Sequence, residues 1–479
     1  MKRRSILKCS LWTFFPWPVH ATDDSFDLLI VGAGGAGLTA ASLLSEKTKL
    51  KIAVFEKEPI IGGTSILCGG QWAVAGTDLQ ERQSVKDNAD LFFDDLMHVG
   101  NYKNDAPVVK SFVDASLKQY LWIKKNGIVP KSLALSAGMS RPRAHIFNPR
   151  EIIALLAQKC LSQGVKIFTS AKVTKLLQPE GSSDTVCGLE VQIRREGNFL
   201  FRAPRVILAS GGFTRNRTLL KTYAGGLGRA LLFSAPGSQG DGIEMGTSIG
   251  CALSDMTNIK PSFGFIEGAT GTNDITGVFY SGAVIVNENA ERFINESLPN
   301  KEIGIEAVNQ KETYLVFDES IRQKQMKVRP NDRLLLNKVG LFGQPVLKGE
   351  SIREIAAKAK LDPEKLETEI RQYNSAIKKK QPDPFGRTSL SQGWGKLPLI
   401  DGAPFYIMRA YSGLTGTYGG LKIDKKGKVC SVKGSTIKGL YAAGEVTGGV
   451  HGEGFMAGTG FGKAMAFGRI VSDSILEEL

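Results

Sequence analysis

Several absences narrow this sequence before any motif is considered. Its six cysteines, Cys9, Cys68, Cys160, Cys187, Cys251 and Cys430, stand far apart, and no C-x-x-C occurs. That excludes a zinc ribbon, an iron–sulfur run and a dithiol redox motif. There is no C-x-x-C-H, so the chain attaches no c-type haem. No metal site is expected. The apolar run near the N-terminus is too short, and too broken by Pro16 and Pro18, to span a bilayer, and there is no other candidate. No basic block interleaves with aromatic residues, as a nucleic-acid groove would require. Internal repeats and low-complexity tracts are also missing.

What remains is a chain of ordinary globular composition, 42% hydrophobic and 23% charged. Its 479 residues exceed one compact core and suit two domains. The N-terminus opens on Met1-Lys2-Arg3-Arg4-Ser5-Ile6-Leu7-Lys8, followed by an apolar stretch and Val19-His20-Ala21. A basic start, a short apolar run and a small-residue end make a secretory signal over 1–21, similar to the twin-arginine type. The expected location is periplasmic; the alternative is a cytoplasmic protein with a basic tail. The net charge of +14 would fall to +10 without the four basic residues of that segment. Such a field favours anionic substrates or an acidic electron-transfer partner, and is equally consistent with a general surface property.

Phe26-Asp27-Leu28-Leu29-Ile30-Val31 is an apolar run of the buried parallel-strand type. A helix over Leu38 to Leu44 and a strand at Lys51-Ile52-Ala53-Val54-Phe55 complete a βαβ unit. Residues 85–126 read as helical, 150–162 as a helix before a strand at Lys166-Ile167-Phe168, and 185–193 and 199–208 as paired strands. From 255 to 412 the texture changes: strands such as Ala283 to Val286 and Tyr314 to Phe317 alternate with charged helices at 351–380. The last stretch returns to glycine-rich strand–turn–helix. The predicted fold is α/β. A Rossmann-like domain is built from both chain ends (22–254 and 413–479), with an α+β capping domain inserted at 255–412.

Gly32-Ala33-Gly34-Gly35-Ala36-Gly37 follows the first strand and opens the first helix. In such a turn Gly32 permits the bend, Gly34 lets a pyrophosphate approach backbone N–H groups, and Gly37 lets helix and strand pack. The helix N-terminus then faces the phosphates. Glu56, followed by Lys57, ends the second strand, where a carboxylate accepts from ribose hydroxyls. Three further glycine sites extend the cradle: Gly62-Gly63-Thr64-Ser65, Gly69-Gly70 before Trp72, and Ala442-Ala443-Gly444-Glu445 through Gly448-Gly449. Each alone could be turn chemistry. Together they favour FAD, a longer cofactor than NAD.

On these motifs the chain resembles the flavoprotein family of fumarate reductase and succinate dehydrogenase. Asp241 in Gly240-Asp241-Gly242, Arg292-Phe293-Ile294-Asn295-Glu296 and Thr417-Tyr418-Gly419-Gly420 add to the likeness. The resemblance places FAD contacts at Ala36, Glu56, Thr64, Gly69, Gly70, Gly212, Asp241, Gly416, Glu445, Gly460 and Phe461. Gly63 stands near the His that carries covalent flavin in some members, so non-covalent FAD is implied.

The substrate end departs from the pattern. The acid Arg position is occupied by Asn300, the carboxylate-binding Arg by Phe455, and the two binding His by Thr415 and Lys260. Gly416-Thr417-Tyr418-Gly419-Gly420 and Ala457 to Met465 are more similar to 3-ketosteroid dehydrogenases and tricarballylate dehydrogenase. These likenesses imply an oxidoreductase in which flavin N5 exchanges hydride with the carbon β to a carbonyl or carboxylate. An acid–base group serves the α carbon, and donors stabilise the enolate. Tyr418, Tyr411, His145 and Lys260 are the catalytic candidates; His451 could sit at the flavin or make a structural hydrogen bond, Tyr280 could face the cleft, and Arg409 could hold a carboxylate or be a solvated strand-edge residue. Arg292 reads as a structural ion-pair residue and Cys68 as packing. Reducing electrons would come from a separate carrier such as a c-type cytochrome. The alternatives are a ketosteroid-like dehydrogenase and a flavin-binding electron carrier without its own substrate.

Overall fold

The structure is a computed structural model that describes residues 19–21, 25–225, 227, 230–269, 271, 274–329, 332–337, 346–391 and 395–479. Strand β1 (Leu28–Val31), helix α1 (Gly35–Lys47) and strand β2 (Ile52–Phe55) form the βαβ unit. Every residue of both strands is buried, as in a parallel sheet covered on both faces. Strand β3 (Lys166–Phe168) pairs parallel with β2. Strands β4 (Ala171–Leu177), β5 (Gly188–Ile193) and β6 (Gly197–Arg202) form an antiparallel meander, after which β7 (Val206–Leu208) pairs parallel with β1. The run expected as one strand over 199–208 is thus split between two sheets. Pro204, which has no N–H for a ladder, sits at the break. The helical stretch expected over 85–126 is likewise two helices, Ala89–Val99 and Ala106–Lys125, separated by left-handed backbone at Asn101 and Tyr102.

Helix α2 (Asp241–Ser248) leads to the second sheet. Its strands are β8 (Ile259–Ile266), β9 (Val284–Asn287), β10 (Thr313–Asp318) and β11 (Val346–Gly349), all ordered around the long β12 (Phe405–Thr417); helix α3 (Asn300–Asn309) packs on β8. Strand β12 pairs with β10 and β11 over Phe405–Arg409 and with β8 from Ala410 to Thr417. It therefore runs straight across the expected boundary at 412/413. Beyond it, β13 (Lys428–Cys430) and β14 (Thr436–Ala442) rejoin the first sheet, whose order is β13–β14–β7–β1–β2–β3. Helix α4 (Thr459–Leu476) closes the chain against α1. Two hydrophobic cores result, one under the parallel sheet and one within the β9–β10–β12 layer. No described helix is long and apolar enough to cross a membrane. Val19–Ala21 pair in parallel with Asn198–Leu200; the rest of the predicted leader lies outside the described residues.

His145 belongs to this framework and not to a cleft. It lies in a small antiparallel sheet of Gln71–Ala73, Ser132–Ala134 and Ala144–Ile146, directly opposite Trp72. Its ring is fully buried. Nδ1 donates to the Arg143 carbonyl at 2.9 Å, which leaves Nε2 to accept from the Thr77 hydroxyl at 2.8 Å. Tyr120 packs edge-on at 5.0 Å. With both nitrogens used and no solvent, the imidazole is a core hydrogen-bonding residue, and the expectation of substrate contact is corrected. Burial pushes its pKa from 6.5 down to about 4.

Two outcomes follow from this framework. The unfolded imidazole takes a proton near pH 6.5 but the folded one only near 4, so stability falls as pH drops through that window. Urea unfolding at pH 7 and pH 4 should differ by up to about 3 kcal/mol from this group, and His145→Gln should remove that part of the difference. At the α1–α4 crossing, a Cβ on Gly468 would stand 2.6 Å from the Ala36 carbonyl oxygen and 2.7 Å from Thr39 Cβ. Gly468→Ala should therefore cost about 1–3 kcal/mol of stability by forcing the helices apart, read from the same unfolding curves.

Candidate active site

At the C-terminal ends of the parallel strands a cleft of about 850 Å³ opens between the two sheets. This is where open α/β sheets bind ligands, at the point where strand order reverses. One end is built almost wholly of backbone. Gly32 leaves β1 with φ of +102°, and a side chain there would collide with the Ala209–Ser210 backbone. A side chain on Gly37 would overlap the Gly32 carbonyl, so this glycine sets how closely α1 meets β1. Helix α1 starts at Gly34 without a side-chain cap, and Gly35 N donates to Ser65 Oγ at 3.2 Å.

Carboxylates brace these loops. Glu56 is buried; its two oxygens accept from Ala33 N at 3.0 Å and Glu58 N at 2.9 Å. Desolvation raises its pKa above the ordinary carboxylate value. Lys57 forms a short ion pair with Asp241, and Lys172 approaches the same carboxylate at 3.4 Å. Thr64 Oγ accepts from Ala235 N at 3.2 Å and lies 3.1 Å from Ser238 Oγ. Across the cleft, Glu445 accepts from Thr417 N at 2.8 Å and is partly buried; desolvation raises its pKa too.

Gly32, Gly34, Ala36, Glu56, Lys57, Gly63, Thr64 and Gly69 line the first part of this cleft. Asp241, Gly416, Gly444, Glu445, Gly460 and Phe461 line the remainder. Gly37, Gly70 and Gly212 do not line it; they act one layer behind. A side chain on Gly70 would strike the Phe147 carbonyl, and one on Gly212 would strike Thr417 and Glu445. The walls also hold Ser210, whose buried hydroxyl has no partner within the protein. An orphaned donor, a backbone cradle that excludes Cβ atoms and carboxylates placed for hydroxyl groups all fit a long dinucleotide.

The opposite wall is aromatic. Tyr418, just past the end of β12, stacks on Phe455 with centroids 5.1 Å apart and meets His451 at 4.8 Å. All three line the cleft, together with Thr415, Ser262 and Asn300. The Tyr418 hydroxyl is buried and has no hydrogen-bond partner. Desolvation, with the nearby Glu445 charge, holds its pKa well above 10, so it stays protonated. Asn300 is no acid here: its amide donates to Phe263 O at 3.1 Å and accepts from Phe263 N at 2.8 Å.

The other candidates scatter. Tyr411 lies on β12 near Arg409, which pairs with Glu312 at 3.1 Å, and neither residue lines the cleft. Tyr411 is therefore corrected from site residue to flanking residue, seven positions before Tyr418 and outside the cleft lining. The Lys260 side chain lies outside the described residues. Tyr280 lines the cleft but donates to Leu298 O at 2.9 Å. Arg292 is held by Glu296 and Asp383 at 2.7 Å each, and Cys68, lining the cleft, has its thiol pushed up to about 11 by burial.

Lys463 was not singled out from the sequence. It is buried in the cleft wall, donates to the Thr447 carbonyl and faces Asp255 and Glu445; burial pulls its pKa to about 8. Its signal was a lysine between Gly462 and Ala464 at the start of a helix with few other polar residues.

The profile of the family described as FAD binding domain matches residues 27–460. The cytochrome-type fumarate reductase of Shewanella frigidimarina is 29% identical over 464 residues, which cover 95% of this chain and 77% of that protein. The solved open conformation of a flavocytochrome c3 fumarate reductase superposes with a TM-score of 0.82 at 26% identity, covering 95% of this chain and 78% of that one. The 3-ketosteroid-Δ4-(5α)-dehydrogenase of Rhodococcus jostii RHA1 shares the fold, with a TM-score of 0.74 at 20% identity and 99% of each chain covered. A fingerprint, a backbone cradle and a profile that spans nearly the whole chain agree: this protein belongs to the FAD binding domain family, and FAD is its cofactor.

Proposed function

We propose that the chain is an FAD-dependent oxidoreductase acting on a carbon–carbon bond conjugated to a carbonyl or carboxylate, in the reducing direction. The Tyr418 hydroxyl carries this reading: it is a protonated, buried donor without a partner, on the cleft wall beside Gly416 and Glu445. An orphaned buried hydroxyl is costly unless a ligand satisfies it. A substrate carbonyl oxygen is the acceptor that would do so, and the same bond would stabilise the negative charge that develops there. Bound FAD supplies the hydride-exchanging ring. The chain's residues hold it through Gly32–Gly37, Glu56, Gly444 and Glu445, without a covalent link at Gly63. They enclose the reacting bond between the Tyr418–Phe455 wall and the glycine loops, and keep the phenol's proton on its oxygen.

The fumarate reductase relatives support the reaction class. The missing haem and iron–sulfur motifs support an outside electron carrier, such as a c-type cytochrome, and the Arg3-Arg4 leader supports action after export to the periplasm. The aromatic wall favours one second reading, a dehydrogenase of saturated ketones, as the name of the Rhodococcus neighbour suggests. Steroid ketones with an artificial acceptor, set against enoates with reduced viologen, separate the two directions.

The purified holoprotein should be yellow, and its anaerobically reduced flavin should be reoxidised by at least one compound in a panel of enones and enoates. A colourless protein, or a reduced flavin that no such compound oxidises, defeats the proposal. Tyr418→Phe should lower kcat/KM on the order of 10–1000-fold while the bound-flavin spectrum persists. Because burial holds the phenol protonated, the wild-type profile should show no alkaline loss from this group below pH 10.

A further inference from the structure

The aromatic wall also bears on which compounds the cleft accepts. Phe455 lies nearly parallel to Tyr418, at 15°, and His451 packs against both rings. Farther along, Phe233 and Phe265 stack with centroids 3.9 Å apart and planes 18° apart. Gly413 of β12 lies against this pair: a Cβ there would press on both rings, 2.7 Å from Phe265 and closer still to Phe233. Both stacks border the same cleft. Thr415, Ser262 and Asn300 complete the wall, and the Asn300 amide is already bonded to backbone on both sides.

Among the described side chains of this wall no Lys, Arg, Asp or Glu is present. The cations that border the cleft sit elsewhere and have partners. Lys57 and Lys172 share Asp241. Lys463 is bonded to Thr447 O and faces two carboxylates. Arg329 stands at the rim, half exposed, 3.5 Å from Asp332. A carboxylate pressed against the aromatic wall would lose its hydration and gain no lysine or arginine counter-charge from the described side chains of that wall. A ketone, aldehyde or ester loses far less, and a flat conjugated system gains ring contact.

Resting on the reading of the cleft as a site for conjugated C–C bonds, we infer that its substrate is an uncharged, planar α,β-unsaturated carbonyl compound bearing an aryl or similar flat apolar group, and that Phe455 sets this preference. Tyr418 takes the carbonyl oxygen, and Phe455 takes the face of the conjugated system.

Matched pairs separate charge from shape: fumarate against dimethyl fumarate, and trans-cinnamate against methyl cinnamate and 4-phenylbut-3-en-2-one. Each is titrated into the oxidised holoenzyme, where the change in flavin absorbance reports binding without turnover. Each neutral compound should bind at least about 10-fold tighter than its acid, and the aryl compounds tighter than dimethyl fumarate. Phe455→Arg should reverse the order of acid and ester. Phe455→Leu, a gentler change for the fold, should keep that order and weaken the aryl preference at least about 3-fold. Acids that bind wild type as tightly as their esters overturn the inference; Lys260→Ala or Arg329→Ala abolishing that binding would overturn it equally and assign the anion to that cation. If the neutral compounds bind in the stated order but none reoxidises the reduced enzyme, the substrate-class inference stands and the proposed reaction falls.

Discussion

Strand β12 is gripped along both edges by different partners, and the site depends on that grip. Its first residues are ladder partners of β10 and β11; its later ones pair with β8 on one side and with Leu231–Leu232 on the other. A strand paired on both edges has no freedom to slip, because a one-residue shift would turn its buried face outward. Thr415, Gly416 and Thr417 are therefore set by the packing of the second sheet, and Thr417 N reaches Glu445 from there. Tyr418 follows immediately, its own N–H donating to Asn258 O. Tyr418, the proposed substrate-facing residue, is thus anchored at the very end of a ladder.

Glycine and carboxylate divide the work at the other end of the cleft. The glycine turns give close backbone approach but contribute no side chain to stiffen themselves. Three carboxylates, Glu56 buried and the other two partly so, supply the stiffness: Glu56 holds Ala33 and Glu58, Glu445 holds Thr417, and Asp255 holds Gly449 N at 2.6 Å. All three have their pKa values raised mainly by desolvation, so each is kept in place against a real penalty. Accepting backbone N–H bonds is what offsets it.

The sequence discloses these two ends unequally. The cofactor end was legible because its constraints are local: Gly32 to Gly37, Glu56 and Gly62 to Gly70 lie within forty residues, and each answers to a backbone requirement that few residue types meet. The aromatic wall proposed to meet substrate is assembled from segments around 233, 262, 300, 415 and 455, and its residues are of kinds found anywhere in a core. A resemblance could say which positions converge there, yet Tyr418 and Tyr411 look alike in sequence and differ in the structure. His145 misled for a related reason. Its partners Thr77 and Tyr120 come from distant segments, so nothing nearby in the chain marks it as a satisfied core residue. Lys463 escaped notice because, although it lies within the Ala457 to Met465 stretch, nothing in its local sequence marks its side chain as buried.

The parallel sheet takes β1 from near one end of the chain and β14 from near the other, and β7, roughly midway, lies between them. Helix α1 is covered by α4, where Gly468 meets Ala36. On the ribosome this arrangement imposes an order of events. The first two hundred residues can pair β1, β2 and β3 as they emerge, but the face of α1 that α4 covers and the free edge of β7 wait, exposed, until nearly all of the chain has been made. The nucleotide cleft is complete only when its last helix arrives, so cofactor loading is a late step in the birth of the protein and an uncovered sheet edge is the liability carried until then.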